Sequence, residues 1–303
     1  MKRKVIQLAG KTLVVSLPSK WAKKYGVKKG AEVEVEEGEG SIVFFSQGQS
    51  PIMKKTLDAK DINIMLGRTL GGFYKAGYDE VEISYYSPDQ YAKISEVLNR
   101  TCIGYEIIKQ GQRTILIKNI SDLHPDEFQN ISRRLFLSLL SSADDTLTYF
   151  KQGDLKDLAE IETRDLIITK YSDLCRRMVN IKGMDSTRKT TTYYYICEQL
   201  EKVGDAYKDF AKFIIKNKIK QSSADCIRIL DEINQLLRLF YELFYDFDFK
   251  KWEDFGQRSE KLKKEFASKF ESQSLKELKI TYNLFRIFSM IFDMNSSLVT
   301  ANI

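Results

Sequence analysis

Four carboxylates, Glu198, Glu201, Asp205 and Asp209, follow one another at intervals of three, four and four residues. On a helix that spacing puts all four on one stripe, where oxygen ligands can collect a hard cation, the more so if a neighbouring helix adds its own. Like charges one turn apart cost about 0.3 kcal/mol per pair. Lys202, Lys208 and Lys212 stand at the flanks to offset that cost. The plain alternative is a solvated acidic face.

A second constellation lies at the amino terminus. Residues 1–31 carry nine Lys or Arg and no Asp or Glu, whereas Glu32–Glu39 holds five Glu. A phosphate backbone binds such a concentrated cationic face, with an affinity set by how many charges meet phosphates. A surface kept merely soluble mixes its signs, so double-stranded DNA is the expected partner. The expected contacts are Lys2, Arg3, Lys4, Lys11, Lys20, Lys23 and Lys24, with Thr12, Ser16 and Ser19 as neutral phosphate donors. Lysine grips phosphate well but reads base edges poorly.

Other chemistry has little material. His124 is the only histidine and reads as a loop residue before Pro125, and Cys102, Cys175, Cys197 and Cys226 form no CxxC pair. A His/Cys zinc site and a histidine relay are therefore unsupported. Gly67, Gly71 and Gly72 lack the spacing of a phosphate loop and read as helix-packing positions. Asp144 and Asp145 diverge by about 100° on a helix, with no nucleophile beside them. The aromatics Tyr193–Tyr195, Phe240, Tyr241, Phe244 and Tyr245 read as packing between helices. No catalytic residue is expected. Scattered cysteines suit a reducing compartment. Lys11 interrupts the first apolar stretch too early for a signal peptide, and no apolar run reaches the roughly 18–20 residues of a membrane span. The expectation is a cytoplasmic protein.

These residues need elements to hold them. At 303 residues the chain suggests two or three domains. Residues 1–47 read as strands Lys4–Ala9 and Thr12–Leu17, a short helix Ser19–Tyr25 closed by Gly26, then strands Ala31–Glu37 and Ser41–Phe45. So small a unit rarely folds alone, which predicts a homodimer. Residues 52–120 read as a connecting α+β domain: helices Asp61–Ala76 and Pro88–Asn99, with strands Val81–Tyr86, Gly104–Lys109 and Arg113–Lys118. Residues 125–303 read as amphipathic helices near 126–151, 154–182, 186–219, 222–247, 249–272 and 275–301, an up-and-down bundle of two three-helix halves.

The head carries a family resemblance. Gly10-Lys-Thr-Leu-Val-Val-Ser-Leu-Pro18-Ser-Lys-Trp21-Ala, followed by Tyr25-Gly-Val-Lys-Lys-Gly30-Ala-Glu-Val-Glu-Val, resembles the AbrB/SpoVT swapped-hairpin DNA-binding domain in its archaeal version. The resemblance implies an interlaced dimer in which two chains exchange hairpins to form one β-barrel. The family's DNA-contacting positions are matched by Arg3, Lys4, Lys11, Lys20 and Lys24. Ser19-Lys20 replaces the acidic residue often found after the proline, and several family arginines are lysines here. Both changes favour backbone grip over base reading.

The bundle carries another. Leu200-Glu-Lys-Val-Gly-Asp205-Ala-Tyr-Lys-Asp209-Phe-Ala resembles the signature run of PhoU phosphate-signalling proteins, in the third helix of a three-helix repeat. The resemblance implies a divalent or ferric metal ion on the bundle surface, held by Glu201 and Asp205, with Glu198 and Asp209 on the same stripe. The partner motif on the second helix is altered: Glu162 and Asp165 are three apart, and Ile161 sits four before Asp165. In the second repeat Asp293 aligns with Asp205, but Ser289 replaces the counterpart of Glu201, so only the first repeat keeps a cluster.

The expected whole is a multi-domain α+β transcriptional regulator of phosphate uptake, with a DNA-gripping head and a PhoU-like bundle that senses a signal or docks a phosphate-transport or signalling protein. The rival expectation is a signalling adaptor for a transporter or kinase whose head serves only dimerisation.

Overall fold

The computed structural model describes residues 1–303 apart from 9, 39, 47–51, 122–126, 185, 186, 222, 273 and 303. The loop expected at His124–Pro125 and the junctions expected at 47–52 and 120–125 lie outside the described residues, wholly or in part. The chain divides into two compact units, Met1–Met53 and Lys54–Ile303.

In the first unit β1 (Ile6–Leu8) and β2 (Thr12–Val14) form an antiparallel hairpin with Leu8 opposite Thr12. Its turn needs a left-handed residue, and Gly10 supplies it at φ +82° while Gln7 Nε2 donates to the Gly10 carbonyl at 2.8 Å. Pro18 presets the entry to α1 (Ser19–Lys24), and Gly26 at φ +67° ends it, as expected. A second hairpin pairs β3 (Val33–Gly38) with β4 (Ser41–Ser46), Val35 facing Phe44 and Glu37 facing Ile42. Within one chain the two hairpins remain separate two-stranded ladders. An isolated two-stranded ladder is marginal in water.

The second unit opens with β5 (Lys54–Asp58), a strand not anticipated from its mostly polar sequence. It pairs in parallel with β6 (Glu80–Ser84) across α2 (Leu66–Lys75). After α3 (Pro88–Arg100) the chain adds β7 (Tyr105–Gln110) and β8 (Thr114–Asn119), giving the order β5-β6-β8-β7. The helix expected from Asp61 begins only at Leu66. Asp58 accepts from the Lys60 amide at 3.0 Å and Ala59 donates to the Ser84 carbonyl at 2.9 Å, so residues 59–65 turn instead. Val81, Ile83, Ile115 and Ile117 are buried with Leu66, Leu70 and Tyr74 of α2 and Ile94 of α3.

The helices are α4 (Phe128–Gln152), α5 (Glu160–Lys182, after a 3-10 turn at Asp157–Ala159), α6 (Thr187–Lys216), α7 (Ala224–Tyr245), α8 (Phe249–Ser272), α9 (Leu275–Asp293) and α10 (Asn295–Asn302). The single helix expected at 275–301 is therefore two. Met294, at ψ −7°, bonds back only to Ile291, and Asn295-Ser-Ser is a poor helical continuation. Tyr207 donates to Asn234 Oδ1 at 2.6 Å and Asn234 Nδ2 to the Ala143 carbonyl at 2.8 Å, tying α6, α7 and α4 through one buried polar chain.

The sheet and the helices, read from the sequence as separate segments, belong to the same unit. Arg177 of α5 explains much of that union. It is buried, donates to the carbonyls of Tyr74 and Tyr78 at 2.7 and 2.8 Å, pairs with Asp79 at 3.2 Å, and lies over the rings of Tyr74 and Tyr105. The guanidinium thus serves the free carbonyl end of α2 and the neighbouring turn. Among the described residues no helix is long and apolar enough to cross a membrane.

Candidate nucleic-acid interface and the carboxylate seam

The head places the predicted cations on three successive features. Arg3 and Lys4 lead into β1, Lys11 sits at the hairpin turn, and Lys20, Lys23 and Lys24 project from α1; all are exposed. Thr12 and Ser16 are exposed beside them, on β2 and on the extended link to Pro18. None of these cations meets a carboxylate among the described residues. Lys20 and Lys24 are one turn apart on α1, while the Trp21 and Tyr25 rings pack at a tilt of 39° with centroids 5.3 Å apart, and Lys24 Nζ lies 5.3 Å from the Tyr25 ring centroid. Lys23 and Lys24 also favour the carbonyl end of their short helix. Positive charge here is exposed and left unneutralised.

The same unit buries none of its described residues. Val5, Ile6, Leu8, Leu13 and Val15 around the first hairpin, and Val35 and Ile42 on the second, are 45–70% exposed. A pattern this apolar with no core of its own needs another surface to cover it.

The carboxylate stripe is real, and cations of the chain itself occupy it. Lys208 Nζ bridges Asp165 Oδ2 of α5 at 2.6 Å and Asp205 Oδ1 at 2.5 Å. Lys202 lies 3.3 Å from Glu201 and 3.7 Å from Asp205, and Arg176 of α5 reaches Glu198 at 3.5 Å and Glu201 at 3.9 Å. Asp209 pairs with Arg286 of α9 at 3.2 Å, and Glu162 with Lys212 at 2.7 Å. Asp205 thus shares Lys208 with Asp165 and Lys202 with Glu201, while Glu162 and Asp209 are drawn to separate cations. Burial pushes the Asp165 and Glu201 carboxyls above the usual range, against the pull of Lys208 and Lys202 respectively. Burial also pulls Lys208 down, but its hydrogen bonds to Asp165 and Asp205 outweigh that and hold it above the ordinary lysine value. Lys208, Lys202 and Arg176 thus face oxygens of Asp165, Asp205 and Glu201, while Asp165 Oδ1 is buried without a hydrogen-bond partner among the described residues. As folded, these side chains form an ion-pair lattice between α5 and α6.

Sequence reasoning missed the cations contributed by other helices. Arg176 and Arg177 are adjacent and both buried, and Arg176 also pairs with Asp173 within α5. Their local signal is the run Leu174-Cys-Arg-Arg-Met-Val179, where two guanidiniums interrupt an otherwise apolar stretch.

Comparison with known proteins adds one match. Residues 6–43 match the family described as "Antidote-toxin recognition MazE, bacterial antitoxin". No curated protein and no solved structure matches the chain. The head is thus similar to the MazE family over residues 6–43, which supports the resemblance read from Gly10 to Val35.

Proposed function

We propose that the protein is a dimeric DNA-binding regulator. Its two heads combine to grip a duplex, and its helical body carries a regulatory or docking role. The observation that carries this reading is the coincidence, in one MazE/AbrB-type unit, of unneutralised cations with apolar strands that have nothing to cover them. A second copy supplies the missing cover by exchanging hairpins, and the same pairing doubles the cationic face. The contacts proposed are Arg3, Lys4, Lys11, Lys20, Lys23 and Lys24, with Thr12 and Ser16 as neutral donors to phosphate. Control of phosphate uptake is the finer proposal, supported by the run Leu200–Ala211 alone.

The test is a mobility-shift titration over a range of salt. Lys4→Glu with Lys24→Glu reverses two charges per chain, four per dimer. Binding should fall by about a hundredfold or more at low salt, with a shallower dependence on salt concentration. Unchanged affinity with an intact dimer would refute the DNA-gripping role and leave the head a dimerisation module.

A further inference from the structure

Helix α9 carries two apolar seams with the 4-3-4-3 spacing by which one helix packs on another. The first, Ile280, Leu284, Ile287, Ile291 and Met294, is buried in the bundle. The second, Leu278, Tyr282, Phe285, Ser289 and Phe292, is not: Tyr282 stays 56% exposed, and the rest are partly so. This second seam lines two open cavities of about 450 and 410 Å³ that share Phe270 of α8. Phe266 and Phe288 form the buried floor of the larger one, and Phe285, Phe270 and Phe292 contribute to its walls. From Leu278 to Phe292 the trough follows α9 for about 21 Å, or four turns.

We infer that this trough is a docking site for an amphipathic helix with acidic flanks, supplied by a partner protein. Three observations choose that occupant. A seam repeating every 3.5 residues is complementary to another helix, whose knobs enter the holes between its side chains. The two cavities follow one another along α9 and both open outward, which suits a rod of about fourteen residues better than a compact ligand. Its rim carries a lysine near each end. Lys279 lies beside Leu278 and Tyr282, and Lys263 of α8 sits 3.7 Å from the Phe292 ring centroid. Lys263 is paired with Glu260 at 2.8 Å, but both side chains are exposed, so an incoming carboxylate can share or displace that partner. Among the described residues Asp293 is the one acid lining the trough, and it sets an orientation, since a carboxylate beside it would be repelled. This inference concerns the body alone and stands or falls independently of DNA binding.

The experiment uses the full-length protein and two fluorescein-labelled synthetic eighteen-residue helices. Both have leucine at the a and d positions; one has glutamate and the other lysine at e and g. In an anisotropy titration the glutamate peptide should bind at least about tenfold tighter than the lysine peptide. Lys263→Glu with Lys279→Glu should reverse that preference. Tyr282→Asp should weaken both peptides by about tenfold or more, with circular dichroism unchanged. Equal affinity for both peptides, or a preference untouched by the charge reversal, overturns the proposal. So does the finding that dodecanoate binds and both peptides fail to, which would make the trough a site for small amphiphiles.

Discussion

The helix pairs α5–α6 and α8–α9 close their outer seams in opposite ways. Between α5 and α6, carboxylates and cations alternate until nearly every charge is answered: Lys208 by Asp165 and Asp205, Arg176 by Asp173, Glu198 and Glu201. Between α8 and α9 the same job falls to rings, with Phe266 placed 5.4 Å from Phe285 and 5.6 Å from Phe288, and Phe270 placed 5.3 Å from Phe285. The ionic seam answers most of its charge within the chain, although Asp165 Oδ1 and Arg176 Nε stay buried without hydrogen-bond partners among the described residues. The aromatic seam leaves apolar surface facing outward. Ion pairs are directional and saturate, whereas apolar surface continues to favour contact until water is removed from it.

The sharpest way to break this contrast is to remove the aromatic floor. Phe288 is 1% exposed and touches the rings of Phe266, Phe285 and Phe292. Phe288→Ala should cost about 3–5 kcal/mol in the urea unfolding transition of the helical body, followed by far-ultraviolet circular dichroism. A loss below about 1 kcal/mol would mean that the α8–α9 rings contribute little cohesion, and the contrast between the seams would be one of appearance only.

How far the sequence reveals these features depends on whether each is local. Gly10 and Gly26, the hairpins of the head and its acid-free stretch are legible because turn chemistry and charge counts need no partner. The carboxylate stripe from Glu198 to Asp209 is legible for the same reason, and Lys202, Lys208 and Lys212 stand out as its offset. That Lys208 reaches across to Asp165 is not legible, because the contact joins residues 43 apart. β5 is hidden because Lys54-Lys-Thr-Leu-Asp58 contains one apolar residue, and its strand identity comes from pairing with β6. Arg177 is hidden for a different reason. A sequence reading sends arginines to the surface, and only the carbonyls of Tyr74 and Tyr78 make burial there favourable. The break at Met294 has a local signal in Asn295-Ser-Ser, but the apolar spacing of Ile291, Met294 and Leu298 runs through it and masks it.

The ionic seam offers a graded test, in which two lysines of one stripe should behave differently. Lys208→Met leaves the 95%-buried Asp165 carboxylate without its ammonium. Removing one partner of a buried pair is costly, and with Lys208 itself partly exposed the expected loss is roughly 2 kcal/mol at pH 8. The pH dependence has a definite sign. Burial already raises the Asp165 carboxyl in the folded protein, and losing Lys208 raises it further. The folded variant therefore binds a proton more readily than the unfolded chain, and its deficit should shrink as pH falls from 8 towards 5. A deficit that stays constant over that range would show that packing, not charge, is lost. Lys202 also faces Glu201 and Asp205, but its side chain is 46% exposed, so water and salt already screen the pair. Lys202→Ala should change stability by less than about 0.5 kcal/mol. If the two substitutions instead cost the same, Lys208 is one more surface lysine, and the ionic seam does not hold α5 to α6.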